Sequence, residues 1–191
     1  MSSFIWPSPR PPPPKPSQTP LSKTPLPAPS SDQPNGLRQP FVAPNLIVPI
    51  DSSDPDKVVG NSYIAQISPT RATLFMFDVP PDFPSVCNLV FAVPPDFNAQ
   101  FASPIKLKSQ GGISVSQLDD LSDSKMTAST ADPSHDVGRV PLLEPGNKYH
   151  IASLPGMSGQ KVGYRVDSTN GLDLDFFETN WPPLGLFLEV A

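Results

Sequence analysis

Few residues in this 191-residue chain could supply acid–base, nucleophilic or metal chemistry: two histidines, one cysteine, and two aspartates spaced for joint action. Asp173 and Asp175 lie two apart in Leu172–Phe177 (LDLDFF). On a strand both project from one face, while Leu172, Leu174 and Phe176 point to the other. Their spacing of about 6.6–7 Å is loosely compatible with the paired carboxylates of glycoside hydrolysis. The acidic face of an amphipathic strand predicts the same residues. His135 falls in an acidic stretch and His150 in mid-strand, far apart in the chain. Two histidines and one cysteine do not make a four-ligand zinc site without carboxylates, so no metal is expected. Gly156-Met157-Ser158-Gly159 departs from the Gly-x-Ser-x-Gly elbow, and no strand-to-helix turn surrounds it. Asp167–Gly171 lacks the alternating acidic ligands of a calcium loop. No Gly-rich phosphate loop is present, and no cofactor is expected. Cys87 has apolar neighbours and no Lys, Arg or His within ten residues, which describes a small buried hydrophobe.

The elements around these residues read as strands. Nine short runs, each bounded by Pro, Gly, Asn or Asp, are rich in β-branched and aromatic residues. They are 45–50, 61–67, 72–79, 86–93, 112–118, 147–154, 160–166, 172–177 and 184–190. None shows a sustained 3.6-residue period. The fold class is therefore all-β: an antiparallel β-sandwich or jelly-roll-like domain of about 8–9 strands. Asn170-Gly171 is the strongest hairpin signal, and Pro145-Gly146 supplies a turn before the strand that carries Tyr149. Residues 119–136, with five Asp and no aromatic side chain, predict a mobile loop. Phe77–Phe83 (FDVPPDF) recurs as Phe91–Phe97 (FAVPPDF). The pair predicts two strands that each leave through a Pro-Pro exit turn. A sharper alternative is a binding edge of exposed tips made by Asp82, Phe83, Asp96 and Phe97.

Proline separates the chain into two parts. Of 29 prolines, 15 lie in residues 1–49. That part carries +3 of a total net charge of −5, which leaves −8 for the rest. Residues 1–44 cannot bury enough apolar surface to offset backbone ordering at about 1–2 kcal/mol per residue, and are expected to be a disordered tail before a domain at 45–191. Arg10, Pro13 and Pro16 match the spacing of an SH3 ligand, aligned on one face of a polyproline II helix. An acidic domain is not expected to bind nucleic acid, and no apolar run reaches the length of a membrane span. Phe4-Ile5-Trp6, stopped by Pro7, is too short for a secretory leader, and a lone cysteine suits a reducing compartment. An intracellular setting is expected from the chain as written, and a secreted or wall setting if its start is misassigned.

The folded half resembles the C-terminal domain of the fungal But-two proteins. The likeness is carried by Leu46–Ile50, Phe77–Pro80 leading into Cys87–Phe91, Leu143–Tyr149, Gly159–Val162, Leu174–Glu178 and Pro183–Leu188. The resemblance implies a β-rich domain without established catalytic residues. It also implies a protein partner, since the family is named for binding Uba-three, the catalytic subunit of the NEDD8-activating enzyme. Relatives that look secreted pair a cysteine near Cys87 with one before the Gly-Gln segment; here Ser153–Ser158 holds none. The function expected is a non-catalytic interaction module that binds a ubiquitin-like-activating enzyme subunit or, through its tail, an SH3-type domain. The alternative is a glycan-binding module in which Trp181, Tyr164 and the Phe176-Phe177 pair line a sugar platform; glycoside hydrolysis is more remote.

Overall fold

The computed structural model describes residues 36–96, 105–119, 121 and 124–191. Arg10, Pro13, Pro16 and Phe97 lie outside the described residues. Thirteen strands and no helix are present among those described. They are β1 (Phe41–Val42), β2 (Leu46–Asp51), β3 (Ile64–Ile67), β4 (Arg71–Asp78), β5 (Val86–Ala92), β6 (Lys106–Ser109) and β7 (Gly112–Leu118). β8 (Pro133–Val140), β9 (Lys148–Pro155), β10 (Lys161–Thr169), β11 (Asp173–Phe177), β12 (Thr179–Asn180) and β13 (Pro183–Val190) complete the set. All nine expected strands form, in antiparallel sheets.

Three sheets enclose the core. One has the order β1-β13-β5-β9, with β12 also on β13; the second is β2-β4-β10-β7-β8; the third is β3-β11-β6. Alternate residues of each meet inside: Leu89 and Phe91 of β5, Leu184, Leu186 and Leu188 of β13, Phe75 and Phe77 of β4, and Leu174 and Phe176 of β11. Edge-on ring contacts bind the layers, Phe91 to Phe176 and Phe77 to Tyr164, each with centroids 6.0 Å apart. Cys87 belongs to this core, and burial pushes its thiol pKa up. A thiol held protonated in an apolar core is a poor nucleophile, as its neighbours in the sequence suggest.

β4 is buried on both faces. Its Ala72, Leu74 and Met76 face a second apolar cluster closed by Leu118, Met126 and Ala131. The segment around Met126 is therefore structural. Thr127 bonds Ser129 and Thr130 through its hydroxyl, Ser129 N–H donates to Pro55 C=O, and Arg165 Nη1 donates to Ala131 C=O. The expected loop over 119–136 is thus corrected in its middle and at its C-terminal end. Met126 and Ala131 pack into a core, and residues 133–136, His135 included, belong to β8, paired with β7. Few apolar residues were there to signal it.

The domain also begins before residue 45. β1 pairs with β13, Val190 N–H donates to Pro40 C=O, and Arg38 N–H donates to the Glu189 carboxylate. Leu37 and Phe41 cover Val90, Ala92 and Phe187 on the outer face of the first sheet.

Asn170-Gly171 forms its tight turn, both residues at positive φ, with Leu172 N–H donating to Thr169 C=O. The strands it joins do not pair as a hairpin, because β10 and β11 lie in different sheets. The β7–β10 ribbon bends here and continues as β6–β11. A Cβ on Gly111 or Gly112 would lie 2.4 Å from Leu172 N or 2.0 Å from Val140 O, so only glycine fits this corner.

The repeated Val-Pro-Pro-Asp segments are structural equivalents. Val79 N–H donates to Gln160 C=O and Pro80 C=O accepts from Gly159; Val93 N–H donates to Asn147 C=O and Pro94 C=O accepts from Gly146. Gly159 (φ 72°) and Gly146 (φ 78°) each sit beneath the second proline of their motif. The echo in the sequence is therefore a shared way of ending a strand.

Candidate functional site: an open sheet face

Among the described residues, the paired aspartates, the His150–Ser153 pair and Ser158 each have structural partners. Lys108 Nζ stands 3.1 Å from Asp173 and 3.4 Å from Asp175, bridging the two carboxylates. The hydrogen bond that Lys108 donates to Asp173, then the charge of Asp175, holds the Lys108 pKa above its ordinary value. Paired with one cation, the two aspartates form the polar face of an amphipathic strand. Ser153 Oγ lies 3.0 Å from His150 Nε2, the spacing of a nucleophile and its base. Its proton, however, goes to Asn88 Oδ1 at 2.8 Å, and Asn88 touches the same ring nitrogen at 3.3 Å. In a catalytic triad the third group orients the opposite nitrogen, so this cluster cross-links β5 to β9. Ser158 Oγ donates to Phe83 C=O at 2.6 Å and fastens the first exit turn.

The expected edge of exposed Asp-Phe tips does not form at its first site. Phe83 is buried and joins the main core, with Phe83 N–H closing a turn onto Pro80 C=O. Burying a phenylalanine is worth about 1.5–3 kcal/mol, which a turn beside an open core edge can gain by folding the ring inward. Asp82 and Asp96 are exposed. Trp181 is 72% exposed in the two-residue loop between β12 and β13, joined to Pro182 by a cis peptide bond. Among the described residues its indole stacks on no other ring.

The expected sugar platform is corrected in its membership. Tyr164 and Phe176 are fully buried, and burial raises the Tyr164 phenol pKa. Phe177 does reach the surface, and the register of β11 on β3 sets it opposite Ile64. There it stacks with Tyr63, the rings inclined by 23° with centroids 6.0 Å apart. Tyr63 is 74% exposed. Successive outward positions of β11 carry Phe177, Asp175 and Asp173, flanked by Ile64 and Gln66 of β3 and by Lys106 and Lys108 of β6. One open face thus has an aromatic end and a polar end. Tyr63 and Lys108 were not singled out from the sequence. Parity along LDLDFF places Phe177 outward, but no local signal says that Tyr63, over a hundred residues earlier, will stack on it.

A different polar arrangement is hidden at the end of β11. Both oxygens of Glu178 are buried without a hydrogen-bond partner, although the residue as a whole is partly accessible. The chain makes room for it with Gly185, whose Cβ would meet Glu178 Cγ and Cδ at 2.7 Å. Burial holds the Glu178 pKa well above the usual carboxylate range. The Glu178 carboxyl is thus closed in against Gly185 at the end of β11.

Among curated proteins, none matches the chain. Residues 42–182 match the family model described as ubiquitin 3 binding protein But2 C-terminal domain.

Proposed function

Because the chain belongs to the But2 C-terminal domain family, which is not a known enzyme family, we propose that its folded part is a non-catalytic protein-interaction module. The partner in this proposal is a ubiquitin-like-activating enzyme subunit of the Uba-three type, the kind for which the family is named. The family match carries the reading. Local chemistry supports it: Lys108 neutralises the paired aspartates, Asn88 holds the Ser153 proton, and Cys87 is buried. The acidic balance of the domain suits a partner with a basic rim, through steering and complementary charge.

Titrating the full chain against purified Uba-three subunit in a calorimeter tests this. Saturable binding that weakens with added salt is expected; no binding at either low or physiological salt refutes it. The tail supplies a separate contact in the proposal, an SH3-type domain on Arg10, Pro13 and Pro16, supported by their spacing alone. Arg10→Ala should weaken binding to a panel of purified SH3 domains, and an unchanged profile would remove that contact.

A further inference from the structure

We propose that the open face of β3-β11-β6 is a glycan-binding surface for a flat, neutral, β-1,4-linked chain of N-acetylglucosamine type. Three observations point to that chemistry. Tyr63 and Phe177 present near-parallel rings beside Ile64, with most of the Tyr63 surface open. The apolar C–H face of a pyranose ring packs on such a surface, as any flat ring with an apolar face does.

Next to the rings runs a row of hydrogen-bonding groups: Gln66, Asp175, Asp173, Lys106 and Lys108. Its two aspartates and two lysines cancel in charge, and Lys108 is already paired with both acids. A surface whose charges are matched internally offers no net attraction to a polyelectrolyte, which argues against nucleic acid and anionic lipid. It still offers donors and acceptors to hydroxyl and acetamido groups. Apolar rings beside a polar, neutral row match a ligand whose units are apolar on their faces and polar at their edges.

The shape favours an extended chain. The rings and the polar row lie on one sheet face, with successive outward side chains of a strand about 6.6–7 Å apart and neighbouring strands about 4.7–4.9 Å apart. A straight ribbon can meet the aromatic and polar ends together, whereas an α-linked chain, which curls, leaves the plane between them.

The test is calorimetric titration of the full chain with chitohexaose, with maltohexaose as the curved control. Saturable chitohexaose binding is expected, weakened about tenfold or more by Tyr63→Ala and by Phe177→Ala. Tyr63 is largely exposed, so Tyr63→Ala should keep the wild-type melting temperature, which separates lost contact from lost fold. Absence of chitohexaose binding, equal binding of maltohexaose, or binding untouched by Tyr63→Ala would each overturn the proposal. If chitohexaose fails while Tyr63→Ala weakens the Uba-three complex, the face is a protein interface and the glycan assignment falls.

Discussion

The outer face of β1-β13-β5-β9 is roofed by residues 36–42, whereas that of β3-β11-β6 lies open. Both faces place an aromatic pair beside a lysine–carboxylate pair. Under the roof, Phe41 meets Phe187 edge-on at 6.0 Å, and Lys148 Nζ sits 2.9 Å from Glu189. On the open face, Tyr63 stacks on Phe177, and Lys108 bridges Asp173 and Asp175. Covering changes what the same groups do. The Glu189 side chain is only 4% exposed, and it also accepts Arg38 N–H while Lys148 donates to Gly36 C=O. Glu189 and Lys148 therefore tie their strands to the segment that covers them. On the open face the ion pairs are solvated, contribute little to stability, and stay available to a ligand.

Variants can break this contrast. The largest loss is expected for Glu189→Ala, which strands the Lys148 ammonium and the Arg38 amide. Breaking a buried pair costs about 3–5 kcal/mol, visible as a lower urea midpoint with an unchanged slope. A change below about 1 kcal/mol would mean that the roof is not held by this pair.

Glu178 predicts a pH dependence with a definite sign. Its folded pKa lies above the unfolded value of about 4.5, so the folded state holds the proton more tightly. Its contribution is fully present below that value and is lost as pH rises through the folded pKa. Glu178→Gln should flatten the fall in thermal stability above pH 4.5; an unaltered pH profile would contradict a carboxyl whose pKa is raised by burial.

Tyr164 offers a smaller effect of the opposite sign. Its hydroxyl is buried without a hydrogen-bond partner, so Tyr164→Phe should raise stability by about 1 kcal/mol in urea titrations. A loss instead would show that the hydroxyl is satisfied in solution. Smallest of all is Lys108→Ala, expected within about 1 kcal/mol of wild type because all three groups are partly solvated. A loss matching that of Glu189→Ala would erase the distinction between the two faces.

Much of the architecture was legible because breakers and apolar runs mark strands locally. LDLDFF even reports which of its residues face the core: Leu174 and Phe176 go in, while both aspartates and Phe177 go out. The four strands without a signal share a cause. β1 and β12 have two residues each, β6 (KLKS) carries one apolar residue on a sheet edge, and β8 (PSHDVGRV) is a polar edge strand in a bulged pairing. Their partners, rather than their composition, make them strands. Asn170-Gly171 encodes its turn but not the sheet each flank joins, since that depends on the corner at Gly111-Gly112. The open face was the least legible part. Its membership follows from the register of β11 between β3 and β6, a contact between distant segments that leaves no local periodicity. Phe83 illustrates the converse: a motif repeated in sequence keeps its backbone bonds, yet its ring is taken by the nearest core.

The contrast between a sealed face and a ligand-bearing one meets its most direct test in amide chemical-shift mapping of the full chain titrated with chitohexaose. Perturbations confined to Tyr63 and the residues of β3, β6 and β11, with Tyr63 and Phe177 among the largest, are the predicted result. Perturbations centred on β1, β5 and β13, or none at saturating chitohexaose, would contradict it.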